Sequence, residues 1–212
     1  MVLLGPCAGA VGKLLRTCEA YAAAHGLTYN VKKCEYMVFK VGGKCREQGP
    51  ELLINGSVIR KVKYLGHFLS DDLKDDVDIE RERRALAVRC NMLIRRFARC
   101  GPSLNPLFKA YCQSLYTGNL CINYTKRSLD ALRVQYINAF RMLLRLPRFC
   151  SASEMFSQAR TDGFHAMVRK KNASLLRRVR YSRNSILRNV AESYSSLIVF
   201  FLVQRVIGTN TR

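Results

Sequence analysis

Tryptophan is absent from this 212-residue chain, and proline (5) and glycine (13) are scarce. Their scarcity excludes a collagen-like or proline-rich stalk, and a 49% hydrophobic content excludes wholesale disorder. Long apolar runs are missing too. The longest, Leu197 to Val203, has seven residues, well short of the ~20 that a membrane span needs. The start, Met1-Val2-Leu3-Leu4-Gly5, lacks the basic and long apolar regions of a signal peptide. These absences predict an intracellular protein, nuclear or cytoplasmic, with no membrane partner. Acid is the last shortage, since 15 Asp and Glu face 36 Lys and Arg for a net charge of +21.

Cysteine, by contrast, is plentiful. The nine cysteines stand at 7, 18, 34, 45, 90, 100, 112, 121 and 150. An odd count with no secretory signal argues against a disulfide framework. Zinc sites place ligand pairs two to four residues apart, but here the closest cysteines have eight intervening residues, and the histidines (25, 67, 165) are scattered. Free, mostly buried thiols are the expectation.

The charge is unevenly spread. Residues 1–82 hold 12 basic and 11 acidic side chains, whereas residues 83–212 hold 24 basic and 4 acidic, a balance of +20. A cationic field of that size attracts polyanions, with nucleic acid the leading partner. A basic protein that merely stays soluble by its charge, or one that meets an anionic membrane surface, is the alternative.

Element signals divide the chain near residue 71. Val2–Leu4, 27–30, 36–41 and 62–69 read as strands, and residues 8–25 as a helix capped by Gly26. Asn55-Gly56 between Leu52–Ile54 and Val58-Ile59 is a hairpin signal. Beyond Ser70 the pattern turns helical. Ile79, Leu86, Cys90, Leu93 and Phe97 mark the buried stripe of a long helix over 78–99, with acids at its start and Arg95, Arg96 and Arg99 at its end. Further helices are predicted over 104–118, 128–146, 153–159 and 162–180, and another from 184. No phosphate loop, zinc helix or nucleophile elbow occurs.

Gly26-Leu27-Thr28-Tyr29-Asn30-Val31-Lys32-Lys33-Cys34-Glu35-Tyr36-Met37-Val38-Phe39 and Lys63-Tyr64-Leu65-Gly66-His67 resemble segments of non-LTR (LINE-like) retrotransposon reverse transcriptases. Asp78–Ala85, Leu107–Cys112, Asp130–Tyr136 and Leu146–Cys150 extend the resemblance in unbroken order over about residues 2–190. It implies an α+β fold: a partial polymerase palm (helix plus short antiparallel strands) over 1–70, then an all-helical thumb-like bundle over 71–192. The tail, 193–212, does not resemble the family. Two-metal phosphoryl transfer needs clustered carboxylates for Mg²⁺. In the family these precede the strand that Val2–Leu4 resembles, so the chain is expected to begin just after them and to lack cofactor and polymerase activity.

The resemblance also assigns roles. Asn30 and Lys33 match an Asn-x-x-Lys pattern whose lysine lies near the incoming triphosphate, although by its residues alone Lys33 is better read as a solvated turn lysine. Tyr64, Leu65 and Gly66 look like the primer-grip hairpin, or else an ordinary strand with a bulge glycine. The thumb helix offers Arg83, Arg84, Arg89, Arg95 and Arg96 to phosphates, some of them facing solvent or acids instead. A second patch joins Arg169, Lys170 and Lys171 to Arg177, Arg178 and Arg180. The acids Asp71, Asp72, Asp75, Asp76 and Asp78 are expected to stabilise a helix N-terminus rather than hold metal. Two functions follow as expectations. The first is a truncated RNA-directed DNA polymerase remnant that binds primer–template RNA and DNA with no obligate protein partner. The second is a stand-alone basic helical RNA/DNA-binding protein.

Overall fold

The computed structural model describes residues 1–39, 52–54, 57–58, 63–64, 66–97, 104–115, 121–193 and 196–207. They fall into two units, Met1–Lys74 and Asp75–Arg212. The fold is helix-rich, with two short antiparallel hairpins in the first unit. The boundary lies a few residues past 71 because Asp75 already belongs to the helical unit: its backbone N–H donates to the Asn123 carbonyl at 2.7 Å.

In the first unit, α1 (Ala8–Ala24) buries Leu15 and Ala22. Gly26, at φ 65°, reverses the chain so that the Leu27 N–H reaches the Ala22 carbonyl at 2.8 Å. This left-handed step suits a residue without Cβ. The expected strands at Val2–Leu4, 27–30 and 36–39 are not strands; residues 40–41 lie outside the described residues. Leu3, Tyr29, Val31 and Tyr36 instead pack around Leu15 and Ile54, and the Tyr29 hydroxyl donates to the Cys18 carbonyl at 2.9 Å. Apolar contact there is satisfied without a β-ladder. The hairpin at Asn55-Gly56 does form, as β1 (Leu53–Ile54) paired antiparallel with β2 (Ser57–Val58). The segment 62–69, a strand by its pattern and a hairpin by the resemblance, forms a second hairpin, β3 (Lys63–Tyr64) with β4 (His67–Phe68). Gly66 at φ 80° folds it back on itself.

The helical unit is built on α2 (Asp76–Arg96), whose first turn carries Asp76 and Asp78 and whose last carries Arg95 and Arg96. Those charges oppose the helix dipole at both ends. Ile79, Leu86, Cys90 and Leu93 are buried as their spacing predicts, and Phe97 packs at the edge of the same core. Next come α3 (Asn105–Leu107), a π-helical turn (Phe108–Cys112), α4 (Lys126–Leu143), α5 (Ala152–Gln158) and α6 (Phe164–Arg180). α4 ends before Arg145 rather than at 146, because Arg145 takes a left-handed conformation (φ 55°).

An aromatic cluster fills the centre. Phe108 lies 4.6 Å from Phe140 and 5.2 Å from Tyr136 between ring centroids, and Phe140 stacks on Phe156 at 4.8 Å. Such ring pairs stabilise beyond the area they bury. The Tyr136 hydroxyl is satisfied too, donating to the Asp162 carbonyl at 2.8 Å and accepting from the Gln113 amide at 2.9 Å.

Residues 196–207 belong to the second unit. After α7 (Ser185–Glu192), the apolar run forms α8 (Leu197–Ile207), which packs along α6 and buries Leu202. Arg205 of α8 lies over the Tyr124 ring, 4.8 Å from its centroid. Leu202 is thus used inside the unit while Ile198 and Phe200 stay exposed, and no helix among the described residues is long and apolar enough to cross a membrane. The described thiols are less buried than expected: Cys90, Cys112 and Cys121 are buried, Cys18, Cys34 and Cys150 half-buried, and Cys7 exposed. Cys45 and Cys100 lie outside the described residues. Burial pushes the Cys90 thiol up to about 11 and those of Cys112 and Cys121 up to about 12.

Candidate nucleic-acid interface

The acids of α2 decide which of its arginines are free. Glu80 follows the helix start closely, and Arg83 and Arg84 stand three and four residues on, so all three share one face. Arg83 forks onto Glu80 with its Nε at 2.6 Å from Oε2 and a terminal nitrogen at 2.8 Å from Oε1. Arg84 Nε reaches the same Oε1 at 2.9 Å, while three-quarters of its side chain stays open to solvent. Arg83 donating to it holds the Glu80 carboxyl down at about 2, with Arg84 adding to the effect against some desolvation.

A second group is buried. Glu82 and Asp78 are almost completely enclosed. Arg81 bonds Asp78 at 2.8 Å and Glu82 at 3.1 Å, and Arg89 approaches Glu82 at 3.5 Å. Lys171 of α6 joins this group: burial lowers its pKa, Glu82 opposing that shift and Arg89 adding to it. Arg83 and Arg89 are therefore committed to acids of their own helix and Arg84 is half committed, which removes them from a fully open phosphate face.

Arg95 and Arg96 differ. Both are exposed and, among the described residues, neither has an acid within 4.0 Å. With Val88, Asn91 and Met92 they line an open groove of about 510 Å³. Arg177, Arg178 and Arg180 crowd the last turn of α6 in the same way, exposed and without an acid partner among the described residues. The rest of the α6 patch is divided. Lys170 is held by both oxygens of Asp162, at 2.6 and 2.7 Å, and Lys171 is half-buried. The six-residue patch thus reduces to the α6 C-terminus together with exposed Arg169.

The acidic run is also accounted for. Asp75 Oδ2 accepts the backbone N–H groups of Ile122 and Asn123 at 2.7 and 2.8 Å. Asp76 Oδ1 accepts from the Thr125 N–H and hydroxyl and from the Ser128 hydroxyl. In the first unit Asp72 accepts from the Ser70 hydroxyl and the Lys74 backbone N–H, which lower its carboxyl to about 2, the Ser70 bond foremost. These carboxylates do more than stabilise a helix start: they tie chain segments together. Mg²⁺, which the polymerase resemblance implies, does not fit Asp75 and Asp76, because Asp75 Oδ2 and Asp76 Oδ1 already accept from protein N–H and O–H groups. Among the described residues no group of three or more His, Cys, Asp or Glu is placed to hold a metal ion.

The palm-like candidates stand as follows. Asn30 and Lys33 bracket a 3₁₀ turn (Val31–Lys33), with the Lys33 N–H on the Asn30 carbonyl at 2.9 Å. Both side chains are exposed. Lys33 has no acid within 4.0 Å among the described residues, as suits a solvated turn lysine. Tyr64 pairs with His67 across the second hairpin; Leu65 lies outside the described residues.

No family model, no curated protein and no solved structure matches this chain. The candidate interface therefore rests on its own residues. Sequence reasoning expected some of the five α2 arginines to face acids but did not say which; Arg83 and Arg89 are the ones spent on Glu80 and Glu82. The signal was present, since Glu80 precedes Arg83 by three and Glu82 precedes Arg89 by seven, both helical repeats. It also passed over Arg148 and Phe149, an exposed pair on the turn after α4.

Proposed function

We propose that the helical unit binds nucleic acid through its phosphate backbone, using Arg95 and Arg96 of α2 and Arg177, Arg178 and Arg180 of α6. The chain is read as the thumb-bearing part of a non-LTR retrotransposon reverse transcriptase, gripping primer–template but not polymerising by itself. One observation carries this reading. The acids of the unit are largely consumed by specific internal partners, while two helix ends display arginines with none among the described residues. Guanidinium groups held open in this way suit phosphate oxygens, which contact them without reading base sequence. The same arginines also offset the helix dipoles, but that role needs neither so many charges nor their exposure.

A specific observation favours the second reading, a stand-alone RNA/DNA-binding protein. α8, drawn from the part unlike the family, is packed into the helical unit through Leu202 and Arg205, as in a self-contained module. Both readings require backbone binding, and the genomic frame upstream of Met1 separates them. A frame continuing through a Tyr/Phe-x-Asp-Asp pair supports the polymerase, and a promoter there supports the module. The binding test is fluorescence anisotropy of a labelled RNA–DNA hybrid titrated with the full chain and with an Arg177→Glu/Arg178→Glu variant. The double reversal should weaken binding at least tenfold. Equal affinity for the hybrid would overturn the assignment of α6.

A further inference from the structure

Phe149 is the most exposed large apolar side chain among the described residues, at 90% of its full accessibility. α4 closes with the Leu146 N–H on the Arg141 carbonyl (2.9 Å) and the Arg145 N–H on the Met142 carbonyl (3.2 Å). This double bond pattern normally calls for glycine at the left-handed position, yet Arg145 occupies it at φ 55°. The Cys150 N–H then bonds the Pro147 carbonyl at 3.1 Å, and Arg141 clamps the far side of the turn, donating to the Cys150 carbonyl at 2.7 Å. The nearest apolar residues in sequence, Leu144, Leu146 and Cys150, turn inward against the core. A hydrogen-bonded turn thus holds one aromatic ring out in water while its neighbours pack.

A ring displayed in this way gains by being covered, and its setting indicates what covers it. Arg148 precedes Phe149, exposed and without an acid within 4.0 Å among the described residues, in a unit whose free charge is cationic. An apolar protein surface would have to desolvate that guanidinium without pairing it. A nucleic-acid strand offers a flat base for the ring and a phosphate for the cation at adjoining positions. Paired bases hide their faces in the stack, so the ring needs an unpaired base.

We infer that Phe149 is a stacking platform for an unpaired base of a bound nucleic-acid strand, with Arg148 meeting a neighbouring phosphate. The inference rests on the backbone-binding reading above and adds to it a preference for single-stranded or overhanging ends. Its strength is set by base–aromatic stacking, which tolerates any base and corresponds to about 5- to 150-fold in affinity per base.

The absence of tryptophan from the sequence provides a direct probe. In Phe149→Trp the only indole of the chain reports on this ring. Oligo(dT) of twelve nucleotides, a blunt duplex of equal length and inorganic polyphosphate are titrated into the full-length variant, with binding followed independently by anisotropy or competition. Oligo(dT) should quench the emission as it binds, and polyphosphate should bind without quenching. Phe149→Ala should lose 5-fold or more in affinity for oligo(dT) while its affinity for the blunt duplex stays within twofold. Binding of oligo(dT) without quenching, and with an unchanged affinity in Phe149→Ala, overturns the stacking platform and leaves backbone binding intact. Failure to bind any nucleic acid overturns both readings. An indole emission already shifted to the blue before ligand is added means that a second copy covers the ring, and that too overturns the platform.

Discussion

Asp76 Oδ1 accepts the backbone N–H of Thr125 at 2.9 Å and its hydroxyl at 2.7 Å, so one carboxylate in the first turn of α2 fixes the cap of α4. Thr125 in turn accepts the Ser128 N–H, satisfying a donor that the first turn of a helix leaves open. The two longest-range partners in the helical core are thereby joined at their N-termini by polar contacts as well as along their apolar faces. Asp76→Ala should therefore cost about 1–3 kcal/mol, the range for removing an acceptor from several donors. Thermal melting checks the value, and the salt dependence of nucleic-acid binding should not change.

Glu82 is the other acid on which the unit depends. It is 2% exposed and stands between Arg81 and Arg89. Glu82→Ala leaves those guanidinium groups and Lys171 facing one another with a charge missing, a change that costs about 3 kcal/mol or more. Urea denaturation should show a lower midpoint with an unchanged slope. A matching change at exposed Glu192 should stay within about 0.5 kcal/mol of the parent.

How far the sequence discloses these features depends on the kind of signal. The α2 stripe is legible because Ile79, Leu86, Cys90 and Leu93 repeat at helical spacing and are buried. Glu82 lies on that same stripe, four residues before Leu86, so its burial was written in the same period. Charge alone hid it, since acids near a helix start read as solvated. The strands at 27–30 and 36–39 failed for a different reason. Their alternation signals an apolar face, and Tyr29, Val31 and Tyr36 do bury one, but a strand also needs a partner at its edge, which local pattern does not supply. Gly66 was legible as a special position, yet whether it marks a bulge or a turn depends on pairing that only the fold reveals. For the interface, the arginines were legible as a set. Which of them are free was not, because that follows from where Glu80, Glu82 and Asp162 point.

Acid should loosen α2. The Glu80 carboxyl titrates at about 2 in the folded chain, against an ordinary value of 4.5. Because the folded value is the lower one, its contribution is present above pH 4.5 and is lost as pH falls towards 2. Melting temperature should drop through that window, and a Glu80→Gln variant should show a shallower drop. An identical acid limb in the variant would show that Glu80 plays no part.

Polymerisation by residues 1–212 should be absent, because among the described residues no group of three or more His, Cys, Asp or Glu is placed to hold a metal ion, and Asp75 and Asp76 are engaged with Ile122, Asn123, Thr125 and Ser128. Primer extension on an RNA template with Mg²⁺ or Mn²⁺ is the assay. Extension above the no-protein control, abolished in Lys33→Ala, would contradict this assignment.

Electrostatic backbone binding at Arg95 and Arg96 is measured most directly by the salt dependence of affinity for a duplex. With about five phosphates neutralised, log K should fall against log salt with a slope near −4 to −5. Arg95→Ala/Arg96→Ala should weaken binding and flatten that slope by about 1.8, the amount for two lost contacts, while Glu192→Ala leaves both unchanged. An affinity independent of salt, or a double variant with the parent slope and affinity, would contradict the claim.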